Sequence, residues 1–213
     1  MPRWLLAIVT LSICSESLSQ DLFESTNSTT RSYSYLELKY LFNVEASPPL
    51  MATLLLGVSG NWSLKADYWT SDETELLTNL QGGSEPVRLD VESRSFSIGA
   101  MFHASLPSIA DTDWIAGLMV GQTDLTGGVV SEFLDFTVDD SSTFQEVYLG
   151  VRRSFLPQLE GEVTVNYLIK PDDRVTTADI TMVYRALEFV DVALAGNSLG
   201  EDEVFGVGLR YTW

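Results

Sequence analysis

Phe205-Gly206-Val207-Gly208-Leu209-Arg210-Tyr211-Thr212-Trp213 is the stretch whose reading decides the fold. Its odd positions are all large and apolar or aromatic, and its even positions are all small or polar. Side chains alternate with period two along a strand, so this is a strand with one apolar face and one small, polar face. In a water-soluble sheet the apolar face packs on a second layer. In a membrane barrel it meets lipid while the other face lines the lumen. The rest of the chain chooses between the two.

Upstream, the same alternation recurs. Leu159, Gly161, Val163, Val165, Tyr167 and Ile169 alternate with Glu160, Glu162, Thr164, Asn166, Leu168 and Lys170. Ala178, Ile180, Met182 and Tyr184 alternate with Asp179, Thr181, Val183 and Arg185, and Val190, Val192 and Leu194 with Asp191, Ala193 and Ala195. Val147, Leu149, Val151 and Phe155 repeat the pattern, as do Phe96 to Phe102 and Trp114 to Val120. No window of comparable length has a helical period, so the sequence predicts an all-β chain. The connectors alternate in length. Tight turns at 107–112, Leu156-Pro157-Gln158 and Leu187-Glu188-Phe189 separate polar loops at 71–93, 123–143, 171–177 and 197–203. A sandwich has no reason to sort its loops this way. A closed antiparallel up-and-down transmembrane barrel does, with short turns and both termini periplasmic.

Seven strands are marked between 94 and 213, so residues 20–70 must supply an odd number of crossings. Tyr33 to Val44 and Ala52 to Trp69 are both strand-like, and the second can fold back at the hairpin dipeptide Gly60-Asn61. That makes ten strands. One long strand over Ala52–Trp69 with a weaker first strand in 21–32 also makes ten, and eight is the alternative count. Within 123–143, the run Val129 to Val138 is itself strand-like and reads as part of a hairpin standing above the membrane.

The N-terminus predicts export. Arg3, the apolar run Trp4 to Val9 and the small-x-small site Ser17-Leu18-Ser19 read as a signal peptide over 1–19, leaving 20–213 as the barrel domain. The only cysteine, Cys14, lies inside that leader, and Ile13 before it is too large for a lipoprotein site. The mature chain then has no thiol for a disulfide, a nucleophile or a metal. Net charge is −18, with 30 acidic and 12 basic residues, which argues against nucleic acid as a partner. Yet 45% of the residues are hydrophobic, far from the composition of a disordered chain. Charge and apolar surface must therefore be segregated.

With these features the chain resembles the small single-chain outer-membrane β-barrels of Gram-negative bacteria. Phe205, Val207, Leu209, Tyr211 and Trp213 are similar to the terminal signal that the barrel-assembly machinery reads in that group, although the group more often ends in Phe. Gly60-Asn61-Trp62-Ser63 and the strand-turn-strand around Leu156 are similar to the YfaZ-like barrels. The resemblance implies a monomer in the bacterial outer membrane, in contact with outer-membrane lipid and lipopolysaccharide.

Three groupings are candidates for chemistry. The lumen parity collects Glu146, Arg152, Glu160, Glu162, Lys170, Asp179, Arg185, Asp191 and Arg210. Buried charge persists only when paired or wet, and a small barrel fills its lumen with side chains. The prediction is a structural ion-pair network; a narrow pore gated by those pairs is the alternative. The single histidine, His103, shares its face with Ser97 and Ser105, but nothing in the sequence supplies an oriented base and nucleophile, so a lipid-modifying enzyme is the weakest reading. The acidic loops lack the spacing of a calcium loop, and Thr123-Asp124 and Asp139-Asp140 are too sparse for a metal site. The chain is therefore expected to be non-enzymatic and without cofactor, with an envelope-structural or surface-interaction role through its acidic loops.

Overall fold

Period-two stretches rich in Val, Leu, Tyr and Phe, broken at Gly-Asn, Pro and Ser clusters, form strands wherever they occur in this chain. The computed structural model describes residues 33–42, 50–77, 87–130, 135–171, 173–199 and 202–213. Ten strands are present: β1 (Tyr35–Phe42), β2 (Leu50–Ser59), β3 (Trp62–Leu77), β4 (Val87–Ser105), β5 (Thr112–Val130), β6 (Asp135–Leu156), β7 (Leu159–Ile169), β8 (Arg174–Arg185), β9 (Val190–Leu199) and β10 (Asp202–Thr212). Each pairs antiparallel with its sequence neighbours, and β1 pairs with β10 from Tyr35↔Thr212 to Phe42↔Phe205. The sheet is a closed barrel, which leaves no free edge around its circumference.

The predicted count of ten holds, and the route is the fold-back at Gly60-Asn61. Gly60 has φ +51°, a left-handed conformation that costs glycine nothing, and β2 returns as β3 from Ser59↔Trp62. The tight turns at 60–61, 106–111, 157–158 and 186–189 all lie at one end of the barrel. The predicted leader 1–19 and the alternative first strand in 21–32 lie outside the described residues.

The loop boundaries need correction. Residues 71–77 and 87–93 are strand, paired from Ser71↔Ser93 to Leu77↔Val87. Residues 123–130 and 135–143 are strand as well, paired out to Val130↔Asp135. Val129 and Val130 pair with Phe136 and Asp135, in line with the predicted hairpin. β8 begins at Arg174, and β9 and β10 reach Leu199 and Asp202. In sequence these segments resemble loops, because they are acidic and lack an outward apolar face. A ladder needs only backbone pairing and a compatible cross-strand set.

Side-chain alternation positions everything else. On β10, Phe205, Val207, Leu209 and Tyr211 are exposed, while Val204, Gly206, Gly208 and Arg210 are buried. Leu149 is 60% exposed and Leu209 59%, values that place greasy side chains on the outside of the barrel. Aromatic residues ring this belt at both edges. Trp62, Phe102, Trp114, Phe189 and Tyr211 lie toward the tight turns, and Tyr68, Phe96, Tyr167 and Phe205 toward the long hairpins. Phe205 and Tyr211 stand roughly 20 Å apart along their strand at ~3.3 Å per residue. An outward apolar band between two aromatic girdles is the surface that a bilayer solvates.

Candidate functional site: the lumen network and the protruding sheet

Inside the barrel, one network ties β1, β6, β7 and β10 together. Glu37 accepts from Arg210 Nε at 2.8 Å and pairs with Lys39 at 2.7 Å. Arg152 donates to Glu160 at 2.5 Å and lies 3.8 Å from Glu162. Glu160 also reaches Arg210 at 3.7 Å, so it links the two arginines. Tyr35 lies beneath both guanidinium groups, 4.0 Å from that of Arg210 and 5.9 Å from that of Arg152. Glu37, Arg152 and Arg210 are each almost wholly buried. Charges this deep persist because each has an opposite charge and hydrogen bonds at contact distance.

The predicted lumen residues separate into four places inside the barrel and one outside it. Arg152, Glu160, Glu162 and Arg210 form the network just described. Asp179 belongs to a different cluster, accepting from Asn166 at 2.6 Å and from Asn197. Asp191 accepts from Thr212 at 3.0 Å and lies 3.8 Å from Arg185, whose side chain is half exposed at the tight-turn rim. Glu146 interacts electrostatically with Lys65. Lys170 lies beyond β7, outside the lumen. Sequence reasoning missed Glu37, Lys39, Lys65, Asp67 and Asp113. The first four were legible, because Tyr35-Leu36-Glu37-Leu38-Lys39 and Leu64-Lys65-Ala66-Asp67 carry their charges on one parity.

Apolar residues fill the remainder of that half. Leu55, Ile115 and Met119 are 0–1% exposed and pack with Tyr35, Met101 and Tyr148. Gly117 gives the Tyr148 ring its place: a Cβ there would come within 2.1 Å of it. Toward the long hairpins the inner wall loosens into a cavity of about 100 Å³, lined among others by Lys39, Thr53, Lys65, Asn166, Asp179 and Asn197.

The residues weighed as hydrolytic do not assemble. Ser97 and His103 lie six positions apart on β4, roughly 20 Å at ~3.3 Å per residue. Ser105 donates to Asp113 at 2.9 Å, and His103 stacks on Tyr33 with ring centroids 3.5 Å apart. Tyr33 in turn donates to Asp113 at 2.7 Å. Among the described residues no group of three or more His, Cys, Asp and Glu side chains is placed to hold a metal.

β3 to β6 run far past the others, with 16, 19, 19 and 22 residues against 8–12 elsewhere. Beyond Leu50↔Thr70 on one side and Gln145↔Ile169 on the other, they continue as a four-stranded sheet rising from the barrel rim. Along these strands the hydrophobic face changes sides. On β5 the outward residues run Trp114, Ala116, Leu118, Val120 and then Gln122, Asp124, Thr126. The inward ones become apolar at Leu125 and Val129. β4 switches likewise, from outward Phe96 and Ile98 to inward Leu89 and Val91, and β6 from outward Val147 and Leu149 to inward Phe136 and Val138. The β3–β4, β4–β5 and β5–β6 registers are continuous, so no bulge causes the switch.

The outer face of the sheet is hydrophilic. Arg88 pairs with Asp90 at 2.8 Å, Arg94 pairs with Glu92, and Gln122 donates to Asp124 at 2.7 Å. Hydrogen bonds from Thr74 and Arg88 hold the Asp90 carboxyl below its usual range, and those from Gln122 and Ser141 do the same for Asp124. Both carboxylates thus stay charged under mildly acidic conditions.

No protein-family model matches the chain, and no curated protein sequence matches it. Among solved structures, several align with it at low identity. The translocator domain of the autotransporter NalP from Neisseria meningitidis superposes with a TM-score of 0.52 at 8% identity, covering 98% of this chain and 97% of that one. The outer-membrane protein OprG from Pseudomonas aeruginosa gives 0.42 at 9% identity over 88% and 99% of the two chains. The NanC porin gives 0.43 at 8% identity over 84% and 100%. With its closed ten-stranded antiparallel sheet and outward apolar belt, this chain has the fold of an outer-membrane-type β-barrel.

Proposed function

We infer that this protein is a non-enzymatic barrel of the bacterial outer membrane, exported by a cleaved leader, that works at the cell surface through its protruding acidic sheet. The observation that carries the reading is the change of hydrophobic face along β4, β5 and β6. A strand crossing from lipid into water must exchange an apolar outer face for a polar one, and these strands do so together at Gln122, Arg94 and Thr143. The tight turns then lie in the periplasm and the sheet outside the cell. The four extended segments carry nine acidic residues against Arg88 and Arg94 alone, which supports a surface that stays hydrated and selects partners by charge. Outer-membrane lipid and lipopolysaccharide surround the belt, the barrel-assembly machinery inserts it, and the closed sheet suits a monomer.

Cell fractionation and gel mobility test the reading. The protein is expected with the outer membrane, migrating faster before heating than after, because a closed ladder does not unravel in mild detergent. Recovery in the soluble periplasmic fraction with no heat-dependent shift would remove it.

The cavity of about 100 Å³ beside Lys39 and Lys65 favours a second reading, a narrow path for small solutes. Against it stand Leu55, Ile115 and Met119, which fill the lumen toward the periplasmic turns. In planar bilayers the purified protein is expected to give no discrete single-channel currents; regular steps would reverse the ranking. Lipid A from expressing and deleted cells is expected to have the same mass spectrum, as a non-enzymatic barrel requires.

A further inference from the structure

The inward face of the protruding sheet carries a continuous apolar patch of Leu89, Val91, Leu125, Val129, Phe136 and Val138. Leu125, Phe136 and Val138 are 43%, 55% and 47% exposed among the described residues. Among the described residues, a Cβ added at Gly127 would find its nearest neighbour at 4.0 Å, which leaves space over the patch. The protruding sheet is roughly 25 Å tall at ~3.3 Å per residue, and the patch on its strands β4 to β6 is roughly 10 Å wide at ~4.8 Å spacing and roughly 13 Å tall from Leu125 to Val129. Its β6 border is acidic: Asp140 lies opposite Leu125, and the four extended segments together carry nine acidic residues. Both arginines of the sheet, Arg88 and Arg94, belong to the other face, paired with Asp90 and Glu92.

We propose that this face is a docking site for a cationic amphipathic peptide segment of another molecule, resting on the surface-interaction reading above. The apolar stripe of such a segment covers the Leu-Val-Phe patch and its flanking lysines or arginines meet Asp140 and the net negative charge of the sheet. Charge chooses this occupant over a second copy of the chain. A symmetric pair would bring two sheets together that each carry nine acidic residues against two arginines, and like charges oppose that approach. A helix of about 16 residues is ~24 Å long, which matches the height of the sheet.

The test uses the full-length folded protein in zwitterionic lipid nanodiscs and, as probe, a fluorescent amphipathic leucine–lysine peptide of about 16 residues. Anisotropy is expected to show saturable binding. The double substitution Phe136→Asp and Val138→Asp is expected to weaken it at least tenfold, as is replacing the probe's lysines by glutamine. Thr137→Val, on the outer face, is expected to leave it unchanged, and heat-dependent mobility confirms that each variant is folded. Equal binding by the double variant, equal binding of both probes, or no binding overturns the proposal. So does self-association that the double variant abolishes, since a second copy then owns the face. A Thr126→Cys variant treated with a membrane-impermeant maleimide on whole cells separates the two levels. Labelling without peptide binding removes the docking site alone, whereas absence of labelling removes the surface reading and the docking site with it.

Discussion

Leu209 and Gly208 are neighbours in sequence and opposites in surroundings, which makes them a test of the facing of the whole barrel. Leu209 points outward from the belt, so Leu209→Lys is expected to cost about 2–4 kcal/mol if it lies near the bilayer midplane. Gly208→Lys fails for another reason. Even a Cβ there would come within 2.7 Å of the Leu38 carbonyl oxygen and 2.8 Å of the Lys39 side chain. Unfolding titrations in lipid vesicles check both, and the first penalty is expected to shrink when the lysine is moved to Phe205, at the edge of the belt. Inside the lumen, Glu37→Gln leaves Arg210 buried with only Glu160 at 3.7 Å, and removing one partner of a buried pair costs about 3–5 kcal/mol. A double variant that also replaces Arg210 by methionine is expected to recover part of that loss, since the deeper of the two cations that Glu37 pairs is then gone while Lys39 remains. These outcomes were half legible in the sequence. Arg210 was assigned to the lumen by parity, but its partner lies 173 residues away, where no local pattern reveals it.

At the level of the element, strand length matters more than strand identity. β10 alternates cleanly along its length because both its faces have one solvent each, lipid outside and packed side chains within. β4 to β6 have two solvents in succession, and their alternation changes side at the boundary, so a reading that follows a single apolar face stops at Phe96, Val120 and Val147. The acidic residues above that point looked like loop because strand formers thin out and charge rises. Their ladders survive through cross-strand pairs such as Thr74 with Asp90. The last strand also carries a prediction of its own. Deleting Trp213, one residue past β10, is expected to raise the ratio of unfolded precursor to folded barrel in cells, because the terminal aromatic ladder is proposed to be read during assembly. A folded fraction equal to that of the intact chain would show that Phe205, Val207, Leu209 and Tyr211 suffice without it.

For the molecule as a whole, two solvents and a closed ladder account for the arrangement. Backbone groups in lipid must be paired within the protein, which is why the ten strands close on themselves. The lumen half toward the tight turns is filled by Tyr35, Leu55, Ile115, Met119 and the Arg152–Glu160–Arg210–Glu37 chain, so the barrel there behaves as a packed core. The sequence by itself determined the all-β fold class and the outward side of the strands that cross the belt between residues 94 and 213, and it favoured ten crossings over eight, with the fold-back at Gly60-Asn61 as one of two routes to ten. All of these follow from period-two patterning and turn chemistry, which are local. Only the tertiary structure decided which charges meet, that Ser105 serves Asp113 and not His103, and that four strands continue above the rim as one sheet. Those depend on register between distant segments. A one-residue slip would send every side chain to the other face, and it is the closure of β1 on β10 that removes the choice.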